Sequence, residues 1–273
     1  MKKSDARMAM TITKGLFLSL IFSLFVFSPL ASATMVVNGS LDDWGVTPGA
    51  YDSINPQAQW VPSTAGVTYV SEDQIDYSLN PGYGGQDFDV EAIYFKKEGD
   101  IAYFAVVSGF PIGGYPNYNG SAYYAGDLAI DFGSNGSYEF GVTVTNHLSG
   151  VAPDHLVGNA ATDWSTPYFT ESGPFQLTGG TDLGAVQFAY NSTTYLVGDH
   201  YVYEYGIPVS LFGADWTGDN PDLTVHWTMS CGNDALDLHV NAVLNPEPST
   251  YALLLLGLSS FGLLRRFRNT RTA

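Results

Sequence analysis

Tyrosines interleaved with amides and small residues fill the stretch Tyr115-Pro116-Asn117-Tyr118-Asn119-Gly120-Ser121-Ala122-Tyr123-Tyr124. Flat aromatic faces stack on pyranose rings while neighbouring amides and acids hydrogen-bond the hydroxyls, so these residues have the chemistry of glycan recognition. Trp60, Trp164 and Tyr168 carry the same chemistry elsewhere, and Tyr115, Tyr118, Trp60 and Trp164 are the candidate ligand-binding residues. Trp44, Trp216 and Trp227 fall in or beside expected regular elements and read as core.

Oxygen ligands for a hard cation are abundant. Asp131-Phe132-Gly133-Ser134-Asn135-Gly136-Ser137-Tyr138-Glu139 gathers acids and an amide around glycine turns, but departs from an EF-hand loop in length and spacing. A hairpin turn with solvated acids is the expectation there. His147, His155, His200, His226 and His239 show no zinc-ligand spacing and no H-E-x-x-H. Cys231 is the single cysteine, so no intramolecular disulfide forms, and it reads as a small buried residue. No G-x-S-x-G elbow occurs in the body, and no nucleotide-binding glycine loop can be set between a strand and a helix. A glycosidase needs two carboxylates at a set separation, and the acids here offer too many pairs to choose one. No catalytic residue is assigned and the metal ligands stay unassigned.

The elements that must position these groups differ sharply in charge. Of ten basic residues, Lys2, Lys3, Arg7 and Lys14 lie at one end and Arg265, Arg266, Arg268 and Arg271 at the other. Residues 34–245 keep only Lys96 and Lys97 against 25 acids, a formal charge of −23 with no arginine at all. Such a body lacks the guanidinium forks that clamp phosphates, and its field repels polyanions, so nucleic acid is excluded as a partner. The acid excess calls for counterions, which makes a structural calcium an expectation; no other cofactor is implied.

Each terminal segment has the form of an address. Residues 1–33 combine a basic start, an apolar run over 15–30 and Ala31-Ser32-Ala33, the pattern of a signal peptide cleaved by signal peptidase after Ala33. Residues 246–273 begin with Pro246-Glu247-Pro248, continue through a short apolar helix over 251–264 and end in the cluster Arg265, Arg266 and Arg268. At 1.5 Å per residue that helix covers about 21 Å, a marginal anchor against a hydrocarbon core of about 30 Å. Arginines behind it hold the tail cytoplasmic and leave the body outside the inner membrane. Together these three parts resemble the PEP-CTERM sorting signal of exported proteins from Gram-negative bacteria that make exopolysaccharide. The resemblance implies recognition of Pro246, Glu247 and Pro248 by an exosortase, a transient stay in the inner membrane, and delivery to the envelope or exterior. An ice-binding C-terminal label given to such tails describes the tail and says nothing of the body.

Between the addresses, residues 34–245 read as one all-β domain. Two β-rich runs, 89–96 and 101–107, flank a polar turn and predict a hairpin. Further strands are expected at 67–70, 126–132, 138–145, 185–190, 200–207, 223–230 and 235–243, with a helical turn at 208–213. Residues 111–126 and 148–180 break the rhythm and read as long surface loops. Asn38-Gly39-Ser40-Leu41-Asp42-Asp43-Trp44 at the start, the hairpin, Gly126-Asp127-Leu128-Ala129-Ile130-Asp131, and Tyr203-Glu204-Tyr205-Gly206-Ile207-Pro208 follow in an order that resembles the family 9-like carbohydrate-binding module and DOMON-type sandwiches. The segment from Trp227 to Asp234 is similar to a motif of PEP-CTERM proteins. The resemblance implies a β-sandwich that binds or associates with exopolysaccharide without catalysis; a secreted polysaccharide hydrolase and a DOMON-type ligand or metal sensor are the alternatives.

Overall fold

A computed structural model describes residues 34–47, 56–72, 84–194, 199–218 and 221–240. The expected signal peptide, its end at Ala33, and the tail with Pro246, Glu247, Pro248, Arg265, Arg266 and Arg268 lie outside the described residues. The described strands begin with β1 (Thr68–Ser71), β2 (Val90–Glu98), β3 (Ile101–Ser108), β4 (Tyr115–Tyr118) and β5 (Ser121–Tyr123). They continue with β6 (Leu128–Phe132), β7 (Phe140–Val142), β8 (His155–Gly158), β9 (Trp164–Ser165) and β10 (Gln176–Leu177). The last are β11 (Thr181–Ala185), β12 (Gln187–Thr194), β13 (Asp199–Pro208), β14 (Leu223–Thr228) and β15 (Ala235–Val240).

Two antiparallel sheets organise the domain, one in the order β1-β2-β3-β13-β12 and the other β11-β8-β7-β6-β14-β15. Their facing side chains form one apolar core that includes Ile93, Phe104, Tyr205, Leu128, Val225 and Leu238. The all-β reading therefore holds, and the expected helical turn is the 3-10 turn Val209–Phe212. The β2–β3 hairpin closes over Gly99, at φ +58°, and Asp100, a tighter turn than its four polar residues suggest.

Strand β2 shows why its composition is apolar throughout. Ile93 and Phe95 face the core between the sheets, while Ala92 and Tyr94 face the other way. Residues 34–46 and the 3-10 turn Pro56–Trp60 cover that second face with Met35, Leu41, Trp44, Val46 and Trp60. A strand buried on both faces has no polar side to alternate with. A register shift between Val90 and Ala92 keeps Glu91 as an extra residue at the strand's entrance, the bulge that re-aims side chains near a strand end.

Glu204, in the middle of β13, holds the covering segment down. Its Oε2 accepts the N–H groups of Asn38 (2.7 Å) and Gly39 (2.8 Å), and its Oε1 accepts Trp44 Nε1–H (2.8 Å). Gly39 takes φ +75°, and a Cβ there would stand 2.8 Å from the Asn191 Cβ, so the close approach requires glycine. Two motifs far apart in the chain thus meet through one carboxylate.

Both expected long loops contain strands. Residues 111–126 form the β4–β5 hairpin over Asn119 (φ +52°) and Gly120 (φ +87°), the two left-handed residues that a tight hairpin turn demands. Residues 148–180 supply β8, an interior strand of the six-stranded sheet, and the β9–β10 pair. Four residues flanked by turns are too short to show a periodicity, and β8 owes its place to pairing with β7 and β11.

Candidate functional site

Most of the sequence-selected aromatic residues are engaged in packing. Tyr115 and Tyr118 are half-buried, with ring centroids 5.5 Å and 4.9 Å from that of Phe88, and Tyr123 joins them at 5.6 Å. Trp60 is fully buried, so its ring is not open to a glycan; it lies 5.2 Å from the His200 ring. Trp164 is half-buried, donates Nε1–H to the Tyr138 carbonyl at 2.9 Å, and lies over Gly141, where a Cβ would collide with its ring. Trp44 and Trp227 are core as expected, and Trp216 packs on Phe212 at 5.5 Å.

Among the described residues Tyr69 is 39% exposed but stacks on Tyr94, and two tyrosines stand further out, Tyr124 at 54% and Tyr168 at 80% exposure. Both hang on Ser230. Tyr124 N–H donates to Ser230 Oγ (2.8 Å), Ser230 N–H to the Tyr124 carbonyl (2.9 Å), and Tyr168 N–H to the Ser230 carbonyl (2.9 Å). The backbones of Tyr124 and Tyr168 therefore meet at the Ser230 segment, from chain stretches more than forty residues apart.

A second constellation gathers where the two main sheets come together, at the start of β2 and the β14–β15 turn. One carboxylate oxygen from each of Glu72, Asp89 and Asp234 lies within 4.8 Å of the others. Asp234 accepts Val90 N–H through Oδ2 (2.6 Å) and Ala235 N–H through Oδ1 (2.7 Å). Asp89 has no solvent exposure, and neither its Oδ1 nor its Oδ2 has a hydrogen-bond partner. Its backbone is nonetheless pinned, because its carbonyl accepts Gly109 N–H (2.9 Å) and Ser108 Oγ–H (2.6 Å). Burial first, then the charges of Glu91 and Asp234, a carboxyl-carboxyl contact with Asp234 and the charge of Glu72, push the Asp89 carboxyl up to about 11. Beside it, Gln86 Nε2 donates to Glu91 Oε1, which also lies 3.0 Å from His200 Nε2.

Histidines compensate other acids. His147 Nε2 meets the fully buried Asp127 at 3.0 Å, His155 Nδ1 meets Asp182 at 2.8 Å, and His226 Nδ1 meets Asp237 at 2.8 Å. His239 Nδ1 lies 2.8 Å from Thr224 Oγ1. Burial raises the Asp127 carboxyl, although His147 and the N–H groups of Leu177 and Val144 counteract it. For His147, burial disfavours the charged ring, but the hydrogen bond and charge of Asp127 outweigh it and raise the imidazole above 6.5. A groove of about 580 Å³ opens beside His147, whose Nδ1 is also engaged, with Thr145 Oγ1 at 3.0 Å.

The Asp131–Glu139 turn closes on itself. Asp131 accepts Asn135 N–H (3.2 Å) and Gly136 N–H (2.6 Å), and Glu139 accepts Phe132 N–H (3.0 Å). Asp131 is buried rather than solvated, since it serves the turn's own donors. Cys231 is buried, and burial pushes its thiol up to about 11, which leaves it unreactive at neutral pH.

What the sequence reading did not assemble is the carboxylate cluster. Its members come from positions 72, 89 and 234, with no motif spacing, and the available signal was a body with 25 acids and two lysines. The segment from Trp227 to Asp234 contributes to both constellations, through Ser230 and Asp234.

Residues 246–269 match the family model described as the PEP-CTERM protein-sorting motif. The motif marks the chain as an exosortase-sorted exported protein, made as a membrane-anchored precursor and delivered to the cell envelope. No curated protein and no solved structure matches the chain.

Proposed function

We propose that this is a non-catalytic envelope component whose β-sandwich body associates with exopolysaccharide through the Tyr124–Tyr168 patch. The observation that carries this reading is the exposure of both rings beside Ser230 in a body whose other candidate aromatics are packed. Exposed tyrosine faces stack on sugar rings, and the hydroxyl and amide groups nearby supply hydrogen bonds. The meeting of Asn38, Gly39 and Trp44 with Glu204 supports likeness to a family 9-like carbohydrate-binding module, since those residues belong to the segments on which the resemblance rests. A polyanion-repelling body favours neutral over sulfated or uronic glycans.

Co-sedimentation of the secreted protein with the producing organism's own extracellular polysaccharide tests the association. Saturable binding that Tyr124→Ala and Tyr168→Ala together weaken at least tenfold is expected; binding unaffected by both would remove the patch from the reading. Replacement of Pro246, Glu247 and Pro248 by alanine is expected to leave the protein in the membrane fraction, read by fractionation and immunoblot. Unchanged processing of that variant would refute the role given to those three residues.

A further inference from the structure

We infer that Glu72, Asp89 and Asp234 form a calcium site that ties the two sheets together. Two oxygens on one calcium ion, each at about 2.4 Å, stand at most about 4.8 Å apart, and one oxygen from each of the three residues meets that limit. Spacing alone would describe any crowded acidic group. The second observation is Asp89, fully buried with both oxygens lacking a partner. A buried carboxylate without donors is strongly unfavourable unless a cation or a proton compensates it.

Among the described residues, no cation supplies that compensation to Asp89. No arginine occurs between residues 34 and 245, and its lysines, Lys96 and Lys97, sit at the opposite end of β2. Lys96 is seven residues on from Asp89, about 23 Å of extended strand. His200 bonds Glu91 through Nε2, and Gln86 bonds the same carboxylate. Asp234 is held by two backbone N–H groups, which keep its oxygens oriented while leaving lone pairs free. Hard carboxylate oxygens without nitrogen or sulfur donors suit calcium, with water completing its shell.

The position of the three residues sets what the ion does. Glu72 follows β1 and Asp89 precedes β2, in the five-stranded sheet; Asp234 sits in the β14–β15 turn of the six-stranded sheet. One ion would therefore cross-link the sheets at the end nearest the Ser230 patch in sequence. This inference does not depend on the glycan reading.

The test uses the full chain purified in mild detergent, stripped with EGTA and returned to calcium chloride. Equilibrium dialysis with radioactive calcium measures tight sites over the weak background of surface acids, and thermal unfolding measures the linked stability. Wild type is expected to bind one calcium saturably and to gain about 5 °C in midpoint at 10 mM calcium. Asp89→Asn is expected to lose that site and the gain, while unfolding in EGTA no earlier than wild type because the amide is neutral, as the protonated carboxyl is. Glu72→Gln, at the half-buried edge of the cluster, repeats the test should Asp89→Asn not fold, and is expected to weaken calcium at least tenfold. Glu204→Gln leaves calcium binding intact. Absence of a saturable site in wild type, or a site and midpoint gain retained in Asp89→Asn, would overturn the inference and leave Asp89 and Asp234 as a pair sharing a proton.

Discussion

Glu204 and Asp89 are both buried carboxylates of the five-stranded sheet's chain, and both are held above the usual carboxylate range first by burial. Their surroundings differ in donors. Glu204 accepts three N–H groups and so lashes residues 38–44 to the sheet, whereas Asp89 accepts none. Burial by itself therefore does not tell a structural acid from a ligand; the inventory of hydrogen-bond donors does.

The largest effect that sharpens this contrast comes from Glu204→Ala. Two buried donors and one part-buried donor would lose their acceptor, for a loss of about 3–5 kcal/mol in denaturant unfolding that calcium does not restore. Asp89→Asn is expected to behave oppositely, with stability in chelator unchanged or raised by about 1 kcal/mol and a deficit appearing only in calcium. Equal losses in both variants under both conditions would break the comparison.

An intermediate case lies at Asp127, which has donors and a titratable partner. Its own raised value and that of His147 act in the same direction: the folded state keeps protons that the unfolded state has released, so stability falls as pH rises. For His147 the contribution is complete below 6.5 and is lost as pH passes through the raised folded value. We expect stability to fall across that window, and His147→Gln to flatten the profile there. A wild-type profile that rises above pH 6.5 would contradict the pairing. Smallest in stability is Tyr168→Ala, expected within about 0.5 kcal/mol of wild type because the ring is exposed, with its effect confined to polysaccharide binding.

Legibility in the sequence followed the range of the interaction. The β2–β3 hairpin was readable because two apolar runs and a glycine turn lie within twenty residues. The Asn119-Gly120 turn was equally local, yet Pro116 and the dense tyrosines masked a strand pair that has only a few residues on each side. Tyr115, Tyr118, Trp60 and Trp164 had the right chemistry for a ligand, but composition does not say whether a ring meets Phe88, a backbone carbonyl or water. Tyr124 and Tyr168 are set apart from them only by what fails to cover them.

From the sequence alone came the sorting address, the all-β class and the expectation that polyanions are not partners. Each rests on local pattern or on total charge, which the chain carries before it folds. Tertiary structure decided which acids are clasped by N–H groups, which are paired with histidine, and which three converge at one point. Convergence of residues 72, 89 and 234 is a property of two sheets closing on one another, and donor supply at that point is set by backbone direction rather than by residue type.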